Sequence, residues 1–462
     1  MLNMNKKIVI VGAGVAGINA ATKLVDNGYP GHLITVIDAG MDPYNRPKDE
    51  VMKGFAGAGL FSDGKWSYLH NAVGGQLAKY MGEEKADQIL EEAWQYILRF
   101  HPNPKEIMFS QPLEEPEFIK PYFNLRMAPA YHIGTNYLHD IGKKWYDWLI
   151  EKGIKFYWER EVDDIDFDKQ LIYHHSLNSL EFIGPIPIKY DTLIYGTGKS
   201  GIDLTQKLID KYNLNKESKS VQLGVRMELP QKYMQSIVDI AYDFKLYKRH
   251  NNEVSSRSFC SNNFAAYVAE EVTYGMKSYN GHSYKQEDMV NNMTNFGIIM
   301  EIKGIDNPFQ FQKDIVSKCQ IDGKGIHYSP NFTRKPSLTA EGKEMNVVSV
   351  GDLNLFKEVY GEYADYIINY IEDLDKVFNF KDDYSLYIPE VKFLSEEVLV
   401  NYDDLSLINY PNIHFVGDSL SSRGIAVSAA QGVYCSESVL SPQKGNMEIE
   451  DEWDNHVGDI IY

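Results

Sequence analysis

Cysteine is scarce in this chain, which contains only Cys260, Cys319 and Cys435. These residues lie far apart and form no Cys-x-x-Cys pair, which excludes a disulfide framework and a cysteine-based zinc site. A few widely separated cysteines are typical of proteins from a reducing compartment. We therefore expect a cytoplasmic protein without a metal centre.

Long apolar runs and an excess of positive charge are also missing. No stretch approaches the roughly 18 apolar residues of a membrane helix, and glycines interrupt the apolar run near the N-terminus, so we expect neither a membrane span nor a signal peptide. The formal net charge of −19 disfavours attraction to nucleic acid or anionic lipid. A small-molecule substrate is the better expectation.

The length of 462 residues exceeds one ordinary hydrophobic core, and 44% hydrophobic with 24% charged residues is globular usage. We find neither internal repeats nor low-complexity tracts. Two domains, or one domain with a second inserted into it, are therefore expected.

A glycine pattern follows the first apolar run. Residues 7–11, KIVIV, are typical of a buried parallel strand, and the chain then reads Gly12-Ala-Gly14-Val-Ala-Gly17. Gly12 would permit a tight turn, Gly14 a close approach of a pyrophosphate, and Gly17 close packing of the next helix. A second apolar strand ends at Asp38, where an acid can accept ribose hydroxyls. This order predicts a dinucleotide-binding unit.

The C-terminal part of the chain favours FAD as the dinucleotide. The strand IHFVGD ends at Gly417 and Asp418, and a helix of small residues begins at Gly424. This resembles the C-terminal FAD motif of flavoproteins with two dinucleotide-binding domains. The resemblance implies that Gly417 and Asp418 bind the ribityl-pyrophosphate segment. It also implies that the pyrimidine edge of the flavin is lined by Gly424, Ile425 and Ala426.

Two further segments share parts of these motifs. Gly196, Thr197 and Gly198 begin a second GxGxxG after an apolar strand. They could open a separate NAD(P)H domain, but no strand ending in an acid follows at the required distance, and we favour the middle FAD motif of these flavoproteins. Gly351 and Asp352 also follow an apolar strand, but the next helix is bulky, and we predict no cofactor contact there.

Several motifs line up along the chain with a known family. In order they are GAGVAG, GFAGAGLFSDGKWS, HIGTNYL, YGTGKSG, GVRMELP, SRSFC, YNGHSY and FVGDSLSSRGIAVSAAQG. Over roughly residues 5–440 they resemble the uncharacterised FAD-dependent dehydrogenases (NAD/FAD-utilising dehydrogenases), a branch of the glutathione-reductase-like flavoproteins. The family usually continues SFC as Cys-x-Cys-Pro-Gly-Gly, whereas this chain reads Cys260-Ser-Asn-Asn-Phe-Ala. A dithiol role is therefore not implied.

The segment at residues 54–67 differs at one position from the G-x-x-x-x-G-K-[ST] pattern of an ATP-binding phosphate loop. Trp66 stands where that pattern has the hydroxyl residue that binds Mg²⁺. Glutathione-reductase-like flavoproteins run a glycine-rich segment beside the pyrophosphate and flavin at this point. We therefore expect Gly57 and Gly59 to allow close backbone approach. Further cofactor contacts are expected from Ser62, Asp63, Gly64 and Lys65.

The resemblance implies an α/β fold, with a Rossmann-like FAD-binding domain that has a parallel sheet and a β-meander. That domain is expected to be discontinuous, comprising residues 1–220 and 346–440, with an α+β substrate-capping domain inserted at 221–345. Residues 441–462 read as an acidic flexible tail, a possible docking peptide. A helix is predicted near 136–153 from apolar residues at helical spacing, namely Leu138, Ile141, Trp145 and Leu149.

Four side chains are candidates for catalysis near flavin N5: His132, Lys65, Arg226 and Cys260. Each also has a structural interpretation. His132 could be a hydrogen-bonded structural histidine, and Lys65 a solvent-facing lysine. Arg226 could clamp a substrate carboxylate or form a structural ion pair, and Cys260 could be a small buried hydrophobe. Asn280 and Ser283 match a family-like Asn-Gly-x-Ser turn, either meeting substrate or forming a plain turn.

These features predict an FAD-dependent oxidoreductase that exchanges a hydride between flavin N5 and an unidentified small substrate. The electron donor or acceptor is left open. One alternative is a flavoenzyme that modifies a nucleobase in RNA or DNA, against which the net charge of −19 weighs. The other is a non-catalytic FAD-binding scaffold or sensor, suggested by the altered SFC segment and the acidic tail.

Overall fold

The computed structural model describes residues 5–47, 50–62, 64–67, 70, 76–110, 114–126, 129–178, 186–217, 220–273, 275–284, 287–392, 396–420 and 424–440. Asp63 and the tail at 441–462, both subjects of predictions above, lie outside these residues. Within the described ranges, none of the helices has both the length and the apolar character that crossing a membrane requires.

The first half of the chain contains strands β1 Ile8–Val11, β2 Ile34–Ile37, β3 Lys65–Ser67, β4 Met108–Ser110, β5 Asn124–Arg126, β6 Ala130–His132, β7 Lys155–Tyr157, β8 Arg160–Asp166, β9 Leu171–Ser176, β10 Ile186–Lys189, β11 Thr192–Tyr195 and β12 Lys216–Glu217. The second half adds β13 Val221–Pro230, β14 Lys245–Arg249, β15 Val254–Phe264, β16 Ala266–Thr273, β17 Met276–Ser283, β18 Met293–Ile302, β19 Gly325–Tyr328, β20 Val347–Val350, β21 Ser385–Val391, β22 Glu397–Val398, β23 Ser406–Leu407 and β24 Tyr410–Phe415. The α-helices are α1 Val15–Asp26, α2 Gln76–Met81, α3 Glu83–Phe100, α4 Thr135–Glu151, α5 Ile202–Tyr212, α6 Gln231–Val238, α7 Pro308–Lys318, α8 Asn354–Tyr360, α9 Ala364–Phe378 and α10 Ile425–Leu440.

The first sheet has the order β23-β24-β11-β1-β2-β7, and its strands are parallel except for the β23–β24 pair. All four residues of β1 are buried, because helices cover both faces of a parallel sheet of this kind. An antiparallel meander of β8, β9 and β10 follows β7. The predicted Rossmann-like α/β fold with a β-meander is confirmed.

Helices α1 and α10 come from opposite ends of the chain and pack side by side. A Cβ added to Gly432 of α10 would lie 2.1 Å from the carbonyl oxygen of Ala16 in α1, so only glycine permits this approach. The helix predicted near 136–153 is α4. Its predicted apolar face is buried as expected, at Leu138, Ile141, Trp145 and Leu149.

The second sheet is mainly antiparallel, with the order β20-β19-β21-β13-β18-β15-β14-β5. Alternating residues of β13 face opposite sides of it. One side, with Val225 and Met227, shares an apolar core with α8 and α9. The other side carries Arg226, and the β16–β17 hairpin packs there through Gly281.

The predicted return to the FAD domain at residue 346 is wrong. Strand β20 pairs with β19, β21 lies between β19 and β13, and the apolar faces of α8 and α9 are buried on this second sheet. The chain rejoins the first sheet only at β23 and β24. Gly351 and Asp352 directly follow β20, a strand of the second sheet.

Candidate functional site

The glycine turns after β1 and β11 meet at one edge of the first sheet, because parallel neighbouring strands end on the same side. Gly12 has a φ of +103°, and a Cβ there would lie 2.2 Å from the carbonyl oxygen of Gly196. A Cβ at Gly17 would lie 2.0 Å from the carbonyl oxygen of Gly12, which keeps α1 close to β1. Both glycines are therefore required by backbone packing.

Asp38, at the end of β2, holds three backbone amides. Its Oδ2 accepts from the amide of Ala13 at 2.7 Å, and its Oδ1 accepts from the amides of Gly40 and Gly54, each at 2.7 Å. The carboxylate thus ties the turn after β1 to the start of the glycine-rich loop. Its contact with a ribose stays a prediction.

The glycine-rich loop packs directly on the first glycine turn. The amide of Ala56 donates to the carbonyl of Ala13 at 2.8 Å. A Cβ at Gly57, whose φ is +51°, would lie 3.4 Å from the Cα of Gly14. A Cβ at Gly59 would lie 2.4 Å from Cγ2 of Val15, in the first turn of α1. The loop therefore lies beside the N-terminus of α1.

Arg46 fixes this loop and was not singled out from the sequence. Its guanidinium donates to four carbonyl oxygens at 2.7 to 2.9 Å, those of Glu50, Val51, Phe55 and Gly57. Burial lowers the pKa of Arg46 to about 10, so the side chain keeps its charge at neutral pH. No motif marks this arginine, because its role depends on the path of the folded loop.

The glycine-rich loop contacts the HIGTNYL segment at Gly64. The amide of Ile133 donates to the carbonyl of Gly64 at 2.8 Å. A Cβ at Gly64, whose φ is +71°, would lie 3.0 Å from the nitrogen of Gly134. Within the loop, the Oγ of Ser62 accepts from the amide of Gly64 at 3.1 Å.

The turn after β24 completes this edge of the sheet. Gly417 has a φ of +66° and donates its amide to Oε1 of Gln431 in α10 at 2.7 Å. Ser419 accepts from the amide of Gly198 at 3.2 Å, and its Oγ lies 3.3 Å from Oγ1 of Thr197. Asp418 lies in the same short 3₁₀ turn. The predicted residues after β11 and β24 are thus joined by Ser419, which the sequence did not single out.

A cleft of about 360 Å³ opens beside the ends of β1, β2 and β11. Its wall includes Val11, Gly12, Asp38, Val162 and Thr197. A Cβ added at Gly14, Gly198 or Gly424 would meet no described atom within 4 Å, so the backbone faces open space at all three positions. Gly14 is the N-cap of α1, and Gly424 directly precedes Ile425 and Ala426 in the first turn of α10.

Lys65 and His132 are cross-strand partners in a small antiparallel sheet of β3, β6 and β4, so both side chains lie on one face. The Lys65 side chain is only 13% exposed. Its Nζ donates to the carbonyl of Ser261 at 3.1 Å and lies 3.7 Å from Oδ1 of Asp243. A solvent-facing role for Lys65 is therefore wrong.

Tyr242 joins this face to the β16–β17 hairpin. Its ring lies 5.5 Å from Nζ of Lys65 and 5.7 Å from the ring of His132. Its hydroxyl forms a hydrogen bond of 2.9 Å with Oγ of Ser283. Tyr242 thus connects three of the predicted side chains, although nothing in the sequence around it marks a site.

Asp243 supplies the carboxylate beside Lys65, His132 and Tyr242. Burial raises its pKa, but the charges of Lys65 and Lys245 and the hydrogen bond from the Ser261 amide outweigh that effect. The pKa of Asp243 therefore lies below its ordinary value, and the carboxylate stays ionised opposite Lys65.

Arg226 is fully buried, and it donates to the carbonyl next to the one that Lys65 contacts. Its Nη2 is 2.7 Å from Oε1 of Glu390, which is also buried, and it donates to Oδ1 of Asn280 at 2.9 Å. Its Nη1 donates to the carbonyl of Cys260 at 2.9 Å. The structure thus shows the structural ion pair left open for Arg226, and we do not propose a direct substrate contact.

Cys260 and Asn280 are half-buried, so Cys260 is not the buried hydrophobe considered above, and both accept hydrogen bonds from Arg226. Cys260 has a φ of +51° and lies in a bulge of β15, between Phe259 and Asn262. The Asn-Gly-x-Ser segment is not a turn, since residues 280–283 are part of strand β17. A Cβ at Gly281 would lie 2.1 Å from Oδ1 of Asn295 and 2.3 Å from Nδ2 of Asn262. The glycine of this motif therefore makes room for buried amides.

Replacing Gly59 by valine should reduce the amount of FAD that copurifies, because the added side chain collides with Val15 and displaces the loop from α1. The matched control is Ala58→Val, which adds similar bulk at an exposed position one residue away. The ratio of FAD to protein, measured by absorbance after gel filtration, checks this expectation. Full occupancy in Gly59→Val would contradict the assignment of the loop.

No family model and no curated protein matches this chain. Solved structures similar to it include 2-methyl-3-hydroxypyridine-5-carboxylic acid oxygenase, at 11% identity and a TM-score of 0.38, covering 95% of this chain and 83% of that one. CmlS, a flavin-dependent halogenase, matches at 11% identity and a TM-score of 0.42, covering 94% and 58%. A flavoprotein/dehydrogenase from Cytophaga hutchinsonii matches at 10% identity and a TM-score of 0.41, covering 94% and 78%. Each match thus spans most of this chain at low identity and a low TM-score.

Proposed function

We propose that this chain is an FAD-dependent oxidoreductase acting on a small substrate. The observation that carries the proposal is the meeting of three glycine turns and the glycine-rich loop at one edge of the parallel sheet. The carbonyl of Ser261 in β15 and the carboxylate of Asp243, just before β14, contact the continuation of that loop at Lys65. The glycine-rich loop thus runs from the proposed dinucleotide cradle directly into the candidate reaction site at Lys65.

The cradle fits FAD in shape and in chemistry. Gly12, Gly14 and Thr197 would hold the pyrophosphate, since Gly14 faces open space at the N-terminus of α1, where free amides attract anions. The cleft of about 360 Å³ beside Asp38 would take the adenosine. Ile425, in the first turn of α10, would face the flavin, because a helix N-terminus stabilises negative charge on a reduced ring.

Bound FAD would supply a two-electron centre that exchanges a hydride with substrate. The protein would supply fixed charge and proton-holding groups. Lys65 is held by the Ser261 carbonyl and Asp243, so its ammonium group has a defined position. His132 and Tyr242 lie next to it, and Ser283 forms a hydrogen bond with the Tyr242 hydroxyl, so proton-carrying side chains are close to the ammonium group. We propose that substrate binds against this face of the small sheet.

Anaerobic titration of the purified protein tests this function. We expect a yellow protein whose released cofactor is FAD, and whose flavin absorbance is bleached by one member of a panel of small reduced metabolites. NAD(P)H alone should leave the spectrum unchanged, because we assign the second glycine motif to FAD. A colourless protein that fails to take up added FAD would refute the proposal.

Replacing Lys65 by methionine should lower the two-electron midpoint potential of bound FAD by about 30 mV, equivalent to ~1.4 kcal/mol, because a cation stabilises the reduced, anionic ring. Spectroelectrochemical titration measures this without a known substrate. Lys169→Met is the control, since that lysine is 70% exposed. An unchanged potential in Lys65→Met would remove Lys65 from the site.

A further inference from the structure

A partly enclosed apolar cavity of about 30 Å³ lies behind the glycine-rich loop. Its rear wall is formed by helices α1, α3 and α4, through Ile18, Ile97, Ile141 and Trp145. Its front wall is the loop itself. A volume of this size holds one small molecule.

The chemistry of the lining disfavours water. Among the described lining residues, the polar side chains besides Trp145 are Ser62 and Lys65, and both are already engaged. Ser62 Oγ donates to the carbonyl of Gly59 at 3.2 Å, and Lys65 Nζ donates to that of Ser261 at 3.1 Å. Trp145 donates its Nε1 to Thr22 at 2.7 Å. A buried water needs two to four polar partners, whereas apolar cavities stay dry and bind apolar ligands such as xenon.

The cavity also borders the cofactor site assigned above. Its lining includes Gly59, Gly64, Lys65 and Ile425, each of which was predicted to contact FAD. A small apolar molecule held there would lie against the wall of that site. Dioxygen has the required size and polarity, and it is a common reaction partner of flavoenzymes.

We infer that this cavity is a dioxygen site, which would make dioxygen the electron acceptor of the proposed oxidoreductase. The inference rests on the proposed function for the source of electrons. Dioxygen that takes up two electrons and two protons leaves as hydrogen peroxide, so no further co-reactant is needed.

Xenon provides a direct test of the cavity in the FAD-loaded protein. Crystals pressurised with xenon should show a xenon atom between the loop and α4, among Ile18, Ile97 and Ile141. Absence of xenon from the FAD-loaded protein would overturn the inference while leaving the proposed function intact. Failure to load FAD, by contrast, would refute the proposed function itself.

A kinetic test uses Ile141→Phe, which fills the cavity, and Leu149→Phe, which adds a ring to the same buried face of α4 outside it. Both FAD-loaded variants are reduced by light in the absence of substrate and then mixed with air-saturated buffer. We expect Ile141→Phe to reoxidise about tenfold more slowly than wild type, with less early peroxide, and Leu149→Phe to match wild type. Ferricyanide should reoxidise all three proteins equally.

Unchanged reoxidation by air in a folded, FAD-loaded Ile141→Phe variant would overturn the inference. So would an equal slowing by ferricyanide, because that result would mean that the substitution disturbs the flavin rather than gas access. Xenon binding does not depend on the variants, so the inference stays testable if Ile141→Phe fails to fold.

Discussion

Replacing Gly12 by alanine should abolish FAD retention and lower the free energy of unfolding by more than about 3 kcal/mol. The new Cβ would lie 2.2 Å from the carbonyl oxygen of Gly196, a backbone atom that cannot rotate away. The φ of +103° adds strain for any residue with a side chain. The turns after β1 and β11 would be forced apart at the edge where the cofactor is proposed to bind. Cofactor content and urea denaturation followed by circular dichroism measure the two effects.

Gly28→Ala is the matched control for this prediction. Gly28 also has a positive φ, +82°, but a Cβ there would meet no described atom within 4 Å. We expect a loss of about 1 kcal/mol from backbone strain alone, with FAD content unchanged. Equal losses in the two variants would show that the contact between Gly12 and Gly196 is unimportant.

Replacing Glu390 by glutamine should destabilise the protein by about 3–5 kcal/mol, because it leaves the buried guanidinium of Arg226 without its carboxylate. Both side chains are fully buried and lie 2.7 Å apart, and Nζ of Lys392 is 3.0 Å from the same Oε1. Unfolding in urea, with the flavin absorbance as a second probe, measures the change. The Asp26→Asn control breaks a partly exposed pair with Arg99 and should cost less than about 1 kcal/mol.

The double variant Arg226→Gln with Glu390→Gln separates pairing from burial. If the two charges stabilise each other, the double variant should lose less stability than the sum of the single losses. Strict additivity would contradict the pairing. In the single Arg226→Gln variant and in the double variant, the carbonyl of Cys260 loses its charged donor. We therefore also expect the hydrogen bond between Lys65 and the adjacent Ser261 carbonyl to weaken.

Local patterns predicted the first sheet well. The KIVIV run, the spacing of Gly12, Gly14 and Gly17, and the periodicity of α4 all describe interactions within one strand, turn or helix. Such interactions depend on neighbours a few residues apart, which the sequence displays directly. The domain boundary at residue 346 failed because β20 and β21 pair with strands whose identity depends on the whole fold.

In the candidate site, too, the sequence identified individual residues, whereas the contacts between them depend on the fold. The sequence singled out Lys65, His132, Arg226, Asn280 and Ser283 as separate candidates, with a structural alternative for each. In the structure, Tyr242 contacts Lys65, His132 and Ser283. The adjacent carbonyls of Cys260 and Ser261 accept from Arg226 and Lys65, respectively. The structure also places the candidates differently, since Arg226 is paired inside the protein whereas Lys65 lines the cavity behind the glycine-rich loop.

By itself, the sequence determined that this chain forms glycine turns at the edge of a parallel sheet, because glycine spacing and apolar runs restrict the backbone locally. Only the tertiary structure decided which side chains lie together on the face of β3 and β6, how Arg46 and Asp38 hold the loop, and where a small apolar cavity remains. Those features depend on contacts between residues far apart in the chain. Such contacts follow from the packing of complete elements, which no short segment specifies.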